Sequence, residues 1–278
     1  MSVLMPPAEL EDLEIQLLLE GVYLYYGFDF RNYTIASIKQ RIESLIQTDQ
    51  LSSISHLQEK ILHEPVYLER FLQNLFVHSP EMFGDPIFFH TFKAQVVPVL
   101  RTYPFIRIWH AGCSTGEDVY AIAMMLWEAG IYPRCRIYAT DFNESLVLKA
   151  KAGIFSLKHI QNYAALYQQA GGEQQFSDYY SVSYENAVIH PCLKENIVFA
   201  TYNLVTDASF NEFNLILCRD ILSNFNPQLQ TRVHQLFHHS LSRFGILGLG
   251  KQETLKFSPY RQCYEPLEAQ AHFYHRVA

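Results

Sequence analysis

The sequence predicts an α/β protein with a Rossmann-like sheet, an all-helical N-terminal domain and a small antiparallel β-insertion. Three observations predict this class. Residues 105–141 follow the order strand, glycine turn, helix, strand and terminal acid, which is one nucleotide-binding βαβ unit. Short apolar runs and helical segments alternate again after residue 195. The first 77 residues have apolar positions at helical spacing and few strand signals.

Length and composition fit a globular chain of one large or two smaller domains. The 278 residues are 49% hydrophobic and 18% charged, which is enough for a substantial core. The formal net charge of −7 argues against nucleic acid as the main partner. No apolar run is long enough and free enough of charge to span a membrane, and the acidic first residues lack the regions of a signal peptide. We therefore expect a cytoplasmic protein.

The cysteines agree with a reducing compartment. There are 5 of them, an odd number at scattered positions, so we expect neither a disulfide framework nor a structural zinc site. Cys113, Cys135 and Cys218 fall in or beside predicted strands. We expect these three side chains to be buried as small apolar residues.

Residues 1–77 are predicted to form the helical domain. Thr34 is the expected N-cap of the second helix, whose apolar residues recur at helical spacing. The basic residues Arg31, Lys39 and Arg41 either form one face that meets an acidic partner or lie on an ordinary solvated face, which sequence alone favours. The helices are expected near residues 10–27, 34–47, 55–62 and 65–76.

Residues 78–86 (HSPEMFGDP) consist largely of turn-forming residues and are predicted to link the helical domain to a second domain, 87–278. That domain is expected to begin with a helix over residues 87–100.

The glycine turn at residues 111–116 indicates which ligand the βαβ unit accepts. Gly112 and Gly116 are four residues apart, so the turn is not the dinucleotide signature G-x-G-x-x-G, and it lacks the Gly-Lys-Ser/Thr of a triphosphate site. Glu117 at the helix start would repel a pyrophosphate. These features favour an adenosyl ligand without phosphate, of which S-adenosylmethionine (SAM) is the common one. A plain strand-to-helix connection is the alternative.

The segment after Asp141 departs from regular alternation. A helix is expected over 142–152 with Asn143 as its cap. Residues 178–184 then alternate like an exposed strand, and 188–190 are suited to pair with it, which predicts a β-insertion at about 175–195. Its edge strand either binds an extended peptide by strand addition or is a decorative hairpin.

Alternation resumes with predicted strands at 196–203, 214–218 and 245–250, and the last thirty residues are expected to form a hairpin. Asn226 and Pro227 mark the start of a helix that is expected to end near residue 243. His234 and His238 on this helix are four residues apart, but no acid or cysteine joins them. A solvated helix face is therefore predicted rather than a metal site.

Polar side chains follow the predicted parallel strands, at the carboxyl edge where such sheets bind ligands. Asp141 is placed to accept hydrogen bonds from two ribose hydroxyls, and Asn203 is suited to the edge of adenine. Glu117 or Asp220 is suited to the methionine ammonium group and compensates a sulfonium charge. The groups at these strand ends are Gly112 and Glu117, Asp141, Asn203 and Leu204, and Arg219 and Asp220.

Four features of the sequence resemble the chemotaxis receptor methyltransferases (CheR). They are IWHAGCSTGED (108–118), ATD (139–141), FNEFNLILCRD (210–220) and the helical start of the chain. The resemblance covers nearly the whole chain and implies methyl transfer from SAM to glutamate side chains of chemoreceptors, with S-adenosylhomocysteine (SAH) as the product. It implies that the helical domain faces the acidic methylation helices, and that the β-insertion docks a receptor's C-terminal peptide, as in some members.

The resemblance also implies the site residues. Arg219 is assigned to catalysis as well as to cofactor binding. The residues assigned to the cofactor are Gly112, Glu117, Asp141, Phe142, Asn203, Leu204, Arg219 and Asp220.

Several positions depart from the family pattern. The stretch Asn-x-Thr-x-Phe-Phe-Arg-Asp-Pro is here 78–86, so His78, Pro80 and Gly84 replace the family Asn, Thr and Arg. After the fourth strand, Asp220 replaces Asn and Asn224 replaces a Tyr near the transferred methyl group. The usual Pro-Gly-Gly before the fifth strand is Arg-Phe-Gly at 243–245.

Two functions therefore remain open from sequence. One is a SAM-dependent protein carboxyl methyltransferase, in which Arg219 or Lys251 replaces the missing Arg. The other is a degenerate relative that binds SAM, SAH or neither and acts as a regulatory or scaffold module. A small-molecule methyltransferase would need a closed acceptor pocket, for which the sequence gives no sign.

Overall fold

A computed structural model of the chain describes residues 7–75, 81–268 and 272–278. His78 and Pro80, two of the positions that depart from the family, lie outside the described residues. The chain divides into two compact units. The helical unit comprises Met1–His78 together with Asn224–Gln230, and the sheet unit comprises Ser79–Ser223 and Thr231–Ala278.

The helical unit contains four helices, as the periodicity predicts. Helix α1 packs mainly against α3, and α2 packs against α4. Thr34 stands at the N-cap position of α2, but its hydroxyl donates to Ser37 Oγ at 2.8 Å and makes no capping bond to a backbone amide. The helices are α1 (Pro7–Tyr26), α2 (Ile35–Thr48), α3 (Ile54–His63) and α4 (Pro65–Leu75).

Two of the three basic residues considered for a partner-binding face are paired within this unit. The guanidinium of Arg31 lies 2.9 Å from Asp29 and 3.4 Å from Glu20. Lys39 Nζ lies 2.5 Å from Glu11 Oε2. Because these pairs neutralise Arg31 and Lys39 locally, they offer an acidic partner little free positive charge.

The segment Asn224–Gln230 joins the helical unit through main-chain hydrogen bonds and ring packing. The Thr34 N–H donates to the Asn224 carbonyl at 2.8 Å, and the Asn226 N–H donates to the Asn32 carbonyl at 2.9 Å. The rings of Tyr33 and Phe225 meet edge to face with centroids 4.8 Å apart. Asn224 is thus held in a segment that is tied to the second helix.

The sheet unit is built on a seven-stranded sheet in the order β6-β2-β1-β7-β8-β10-β9. The first five strands in this order are parallel, and β10 runs antiparallel between β8 and β9. Together with the helical unit and a small second sheet, this confirms the predicted fold class. The strands are β1 (Ile106–Ala111), β2 (Cys135–Asp141), β6 (Ile197–Thr201), β7 (Phe213–Cys218), β8 (Leu241–Leu249), β9 (Tyr264–Pro266) and β10 (Phe273–Arg276).

Helices flank this sheet close to their predicted places. The helix expected over 87–100 forms with one turn of π-helix, Phe92–Val96, in its middle. Asn143 caps α8, because its Oδ1 accepts the Ser145 N–H at 3.0 Å. The helices of this unit are α5 (Pro86–Thr91), α6 (Val97–Leu100), α7 (Glu117–Glu128), α8 (Glu144–Ala152), α9 (Leu157–Gln169) and α10 (Pro227–Ser240).

The β-insertion is larger than predicted. It is a three-stranded antiparallel sheet in the order β3-β5-β4, with β3 at Ile154–Ser156, β4 at Tyr180–Ser183 and β5 at Asn186–Ile189. The sequence reading found β4 and β5 but missed β3 and helix α9. The buried residues Ile160, Tyr163 and Tyr167 of α9 have helical spacing, but the polar residues on either side of them weakened the signal.

The prediction of a solvated face for His234 and His238 was wrong. His234 is buried and His238 is half-buried, with its ring stacked on Tyr260 at 4.3 Å between centroids. Burial lowers the pKa of His234 to about 4, so its ring is neutral at pH 7. No group of three His, Cys, Asp or Glu residues in the described ranges is suited to hold a metal ion.

The predicted burial of Cys113, Cys135 and Cys218 is confirmed. All five cysteines are free in the structure. Among the residues that the structure describes, no helix is both long and apolar enough to cross a lipid bilayer.

One buried hydrogen bond ties β1 to β2 below the carboxyl edge of the sheet. The indole N–H of Trp109 donates to Thr140 Oγ1 at 2.8 Å, and Trp109 is fully buried. We expect Thr140→Val to lower the free energy of unfolding by about 1–3 kcal/mol, because it leaves a buried N–H unpaired without changing side-chain volume. Urea denaturation measures this change. Thr140→Ser keeps the hydroxyl and is the control; equal losses in both variants would contradict the assigned hydrogen bond.

Candidate functional site

Four neighbouring strands end at the same edge of the sheet. β1 and β7 meet where the strand order reverses, with Ala111 opposite Cys218. On the other side of β1, Ala111 faces Thr140 of β2, and Asp141 faces Thr201 of β6. Ligands in open α/β sheets bind at such a reversal, outside the carboxyl ends of the strands. The predicted residues Gly112, Asp141, Asn203 and Arg219 therefore follow four adjacent strands, although their assignment as cofactor contacts stays a prediction.

Position 112, the first glycine of the turn, requires glycine because of its backbone conformation and because of a neighbouring side chain. Gly112 has φ +75°, in the left-handed region, and a Cβ there would lie 1.7 Å from Ile221 Cδ1. No side chain fits without displacing Ile221. The sequence reading explained this glycine by close approach of a ligand, whereas the structure places Ile221 against it.

Asp141 is held by the backbone on both oxygens. Its Oδ2 accepts the Ser114 N–H and its Oδ1 accepts the Asn143 N–H, each at 3.0 Å. The residue is only 8% exposed, and burial raises the pKa of its carboxyl against the effect of these bonds. The backbone of Phe142 also hydrogen-bonds to this carboxylate, so three backbone amides orient it.

Glu117 opens helix α7 as a buried acid. Its Oε2 accepts the Thr115 hydroxyl at 2.6 Å. Burial is the main cause that raises its pKa from an ordinary 4.5 to about 7, and the charge of Asp118 adds to the rise. Near neutral pH the Glu117 carboxyl is therefore divided between its two protonation states. A cationic ligand group beside it would favour the ionised form.

The pKa of Glu117 predicts a pH-dependent stability. Between pH 4.5 and 7 the unfolded chain releases this proton while the folded chain retains it, so wild-type stability falls as pH rises through this window. We expect Glu117→Gln to gain up to about 3 kcal/mol relative to wild type over this range, at about 1.4 kcal/mol per pH unit. Denaturant titrations at pH 4.5, 6 and 8 measure the difference.

Glu144→Gln, at the exposed first turn of α8, is the control for that series. A difference between Glu117→Gln and wild type that is the same at all three pH values would refute the raised pKa.

Asn203 follows β6 and is oriented by its own loop. Its Oδ1 accepts the Val205 N–H and its backbone N–H donates to Asp207 Oδ2, both at 2.9 Å. With the oxygen engaged, the side-chain NH₂ is the group that can donate to a ring nitrogen of adenine. Leu204 is buried beside it and Phe142, after β2, is half-buried.

Arg219 follows β7 and its guanidinium is held from three sides. Nη1 donates to Asp118 Oδ2 at 2.6 Å, and Nη2 lies 3.6 Å from Asp85 Oδ2. The guanidinium carbon lies 4.1 Å from the centre of the Phe88 ring. The side chain is 8% exposed, and among the described residues its Nε has no hydrogen-bond partner. Two acids and a ring therefore fix the direction of this cation.

Glu253 is a site residue that the sequence reading missed. Its Oε1 accepts the N–H groups of Ile221 at 2.7 Å and Leu222 at 2.6 Å, and its Oε2 accepts the Gly250 N–H at 2.7 Å. It thereby fixes the turn after Asp220, which has φ +59°. A single Glu in a glycine-containing loop gives no sequence signal, because two of the amides that it binds, those of Ile221 and Leu222, lie about 30 residues away.

His110 on β1 was also missed. It is buried, and within the described part of the chain neither ring nitrogen has a hydrogen-bond partner. Burial lowers its pKa to about 4, so the ring is neutral; the charges of Asp118 and Arg219 act in opposite directions. The sequence shows a polar residue in a predicted buried strand, and this pattern alone does not indicate a function.

Three positions bear on the predicted loss of a cation from the site. Gly84 lies in a turn whose N–H donates to the Glu81 carbonyl at 2.8 Å, and a Cβ on it would lie 3.0 Å from both the Cβ and the carbonyl oxygen of Glu81. Lys251, considered as a replacement for the missing Arg, is exposed. Arg219 is engaged by the two acids described above.

Comparison with known families decides the class of the protein. The family model "CheR methyltransferase, SAM binding domain" matches residues 79–270, and "CheR methyltransferase, all-alpha domain" matches residues 13–76. The chain belongs to the CheR methyltransferase family. It is thereby placed among the SAM-dependent methyltransferases of the chemotaxis type.

Two individual relatives agree with this placement, and one solved structure has a weaker likeness that bears on neither family nor function. The chain is 45% identical over 256 residues to a protein of Pseudomonas putida called "Putative methyltransferase Cher3", covering 92% of this chain and 94% of that protein. It is 26% identical to a chemotaxis protein methyltransferase of Listeria monocytogenes, covering 85% and 91% of the two chains. A solved structure of the plantazolicin methyltransferase BpumL in complex with SAH aligns over 76% of this chain and 61% of that chain, at 11% identity and a TM-score of 0.37.

Proposed function

We propose that the chain binds SAM at the carboxyl edge of β6, β2, β1 and β7 and transfers its methyl group to glutamate carboxylates of a chemoreceptor or related signalling protein. Asp141 would hold the ribose, Asn203 and Leu204 the adenine, and Glu117 the methionine ammonium group. We assign Gly112, Phe142, Arg219 and Asp220 to the same cofactor site. The five free cysteines support a reducing, cytoplasmic location for the reaction.

The observation that carries this proposal is the fixation of Asp141. Its two oxygens are 3.0 Å from the backbone N–H groups of Ser114 and Asn143, so the carboxylate is already oriented before a ligand arrives. A carboxylate has two adjacent acceptor oxygens, which suit a vicinal diol such as ribose. The residues present therefore fit SAM, and preorganisation limits the entropy lost on binding.

The chemistry requires alignment more than it requires acid or base catalysis. Bound SAM would supply a methyl group on a sulfonium. An ionised carboxylate would attack that methyl carbon in line, so that a C–O bond forms as the C–S bond breaks and the thioether leaves. A methyl ester and neutral thioether are the products. The chain contributes orientation of the donor and exclusion of water. Asp220 near the acceptor would oppose an incoming glutamate, and Arg219 is our candidate for offsetting that charge.

The partner would engage the helical unit and the β-insertion. Strand β4 is an edge of the three-stranded sheet, and Val182 on it is 63% exposed. An open strand edge with an exposed apolar residue supports addition of an extended peptide, such as a receptor's C-terminal tail.

Loss of Asp141 tests the placement of the cofactor. We expect Asp141→Ala to weaken SAH binding about 100-fold or more, because two charge-assisted hydrogen bonds are lost. Isothermal titration with SAH and with its 2′-deoxy analogue measures this. Wild type should prefer SAH, whereas Asp141→Ala should bind both equally poorly.

Asp178→Ala, an exposed acid in the insertion, is the control and should keep the wild-type preference. A preference for SAH that persists in Asp141→Ala would place the ribose elsewhere.

A second candidate is a degenerate relative that binds SAM or SAH without transferring methyl groups and serves as a regulatory or scaffold module. The observation in its favour is Gly84, which has no side chain where the family resemblance implies an Arg and where a Cβ would lie 3.0 Å from Glu81. Asn224 likewise lacks the phenol of the family Tyr.

Methyl transfer separates the two candidates. With labelled SAM and a receptor cytoplasmic fragment, we expect wild type to place base-labile label on the fragment and none on its Glu→Gln version. We expect the double variant Gly84→Arg, Asn224→Tyr to raise the rate, because it restores the cation and the phenol that the family resemblance implies. Tight SAM binding with no transfer by wild type, and transfer only by the double variant, would establish the degenerate relative instead.

A further inference from the structure

Helix α1 of the helical unit leaves an apolar face in solvent. Leu10, Leu13, Leu17 and Leu24 are 50%, 37%, 53% and 73% exposed, and we refer to them as the α1 leucine stripe. The opposite face of the same helix supplies core residues, namely Ile15, Leu18, Leu19 and Val22. The stripe is thus not needed for the fold of the unit.

The spacing of the stripe suits another helix. The intervals of three, four and seven residues follow a heptad repeat. At about 100° per residue, the four leucines fall within about 60° of arc, which is the narrow seam of a helix pair rather than a broad core-facing surface. Glu20 stands at the one seam position of the repeat that is not apolar.

The charged side chains of helix α1 around the leucine stripe are all acidic. Helix α1 contains five acidic residues and no Lys, Arg or His. Glu9, Glu14 and Glu20 lie within about 70° of the centre of the stripe. Glu20 is 3.4 Å from Arg31 across an exposed pair, and Glu14 accepts the Ser55 hydroxyl at 2.5 Å, so both carboxylates remain close to the seam.

We propose that the α1 leucine stripe docks an amphipathic helix with Lys or Arg beside its apolar seam, on a protein other than the methyl acceptor. A basic helix matches both the seam and its acidic margins. A second copy of α1 would bring acidic side chains against acidic side chains and would be repelled. The glutamate-rich acceptor would be repelled for the same reason. Anionic lipid would be repelled for the same reason. This surface goes beyond the proposed function, because it involves neither SAM nor the acceptor carboxylate.

The test uses the full chain and two synthetic three-heptad peptides with Leu at seam positions a and d. One peptide has Lys at e and g, the other has Glu, and they are otherwise identical. At about 0.1 M salt, fluorescence anisotropy should show the Lys peptide binding about tenfold or more tightly than the Glu peptide, with a preference that declines as salt rises. Leu17→Ser with Leu24→Ser should weaken binding of the Lys peptide about tenfold or more.

Leu148→Ser is the matched control, because Leu148 is a similarly exposed leucine on helix α8 of the other unit. It should bind the Lys peptide as wild type does, and thermal melting and SAH titration of all variants verify that they fold. Equal binding of the two peptides, or an equal loss in Leu148→Ser, would overturn the proposal. The proposal would also be overturned if the wild-type chain dimerised, or bound phosphatidylglycerol vesicles, and the double leucine variant did not.

Discussion

The end of strand β2 fixes the turn on which the site depends. The Thr140 carbonyl accepts the N–H groups of Gly112 and Cys113 at 2.7 and 2.8 Å, and the next residue, Asp141, accepts the N–H of Ser114 at 3.0 Å. Three consecutive amides of the turn after β1 are thus bound by two consecutive residues of β2. This arrangement explains why the turn tolerates left-handed backbone at Gly112 and Ser114, since the neighbouring strand supplies the bonds that hold it.

Buried carboxylates determine the electrostatic character of the sheet's carboxyl edge. Glu117, Asp141 and Glu253 are all buried, and burial raises the pKa of each. Backbone N–H groups stabilise Asp141 and Glu253, and Glu117 is stabilised by the Thr115 hydroxyl and by its own backbone N–H. Arg219 is already engaged by acids. A ligand with positive charge therefore improves the energy of this edge, and SAM, with a sulfonium and an ammonium, has the required sign.

The sequence allowed the positions of the main strands, the glycine turn and the residues at the strand ends to be predicted because these depend on local patterns. Hydrophobic alternation and turn-forming residues are patterns that extend over about ten residues of sequence. Other features depend on partners far along the chain. Ile221 fills the space above Gly112, and Glu253 binds amides about 30 residues away, so neither has a local signature. His234 looked solvent-facing from its helical position, but it is buried, and the exposed side of that helix is formed instead by Arg232, Gln235 and His239.

The half-ionised state of Glu117 has a consequence for the occupied protein. With a pKa of about 7, its carboxyl must lose a proton before it can pair with the ammonium group proposed to lie beside it. On the proposed function, binding of the methyl donor would release a fraction of a proton, so a lower pH would oppose occupancy of the site.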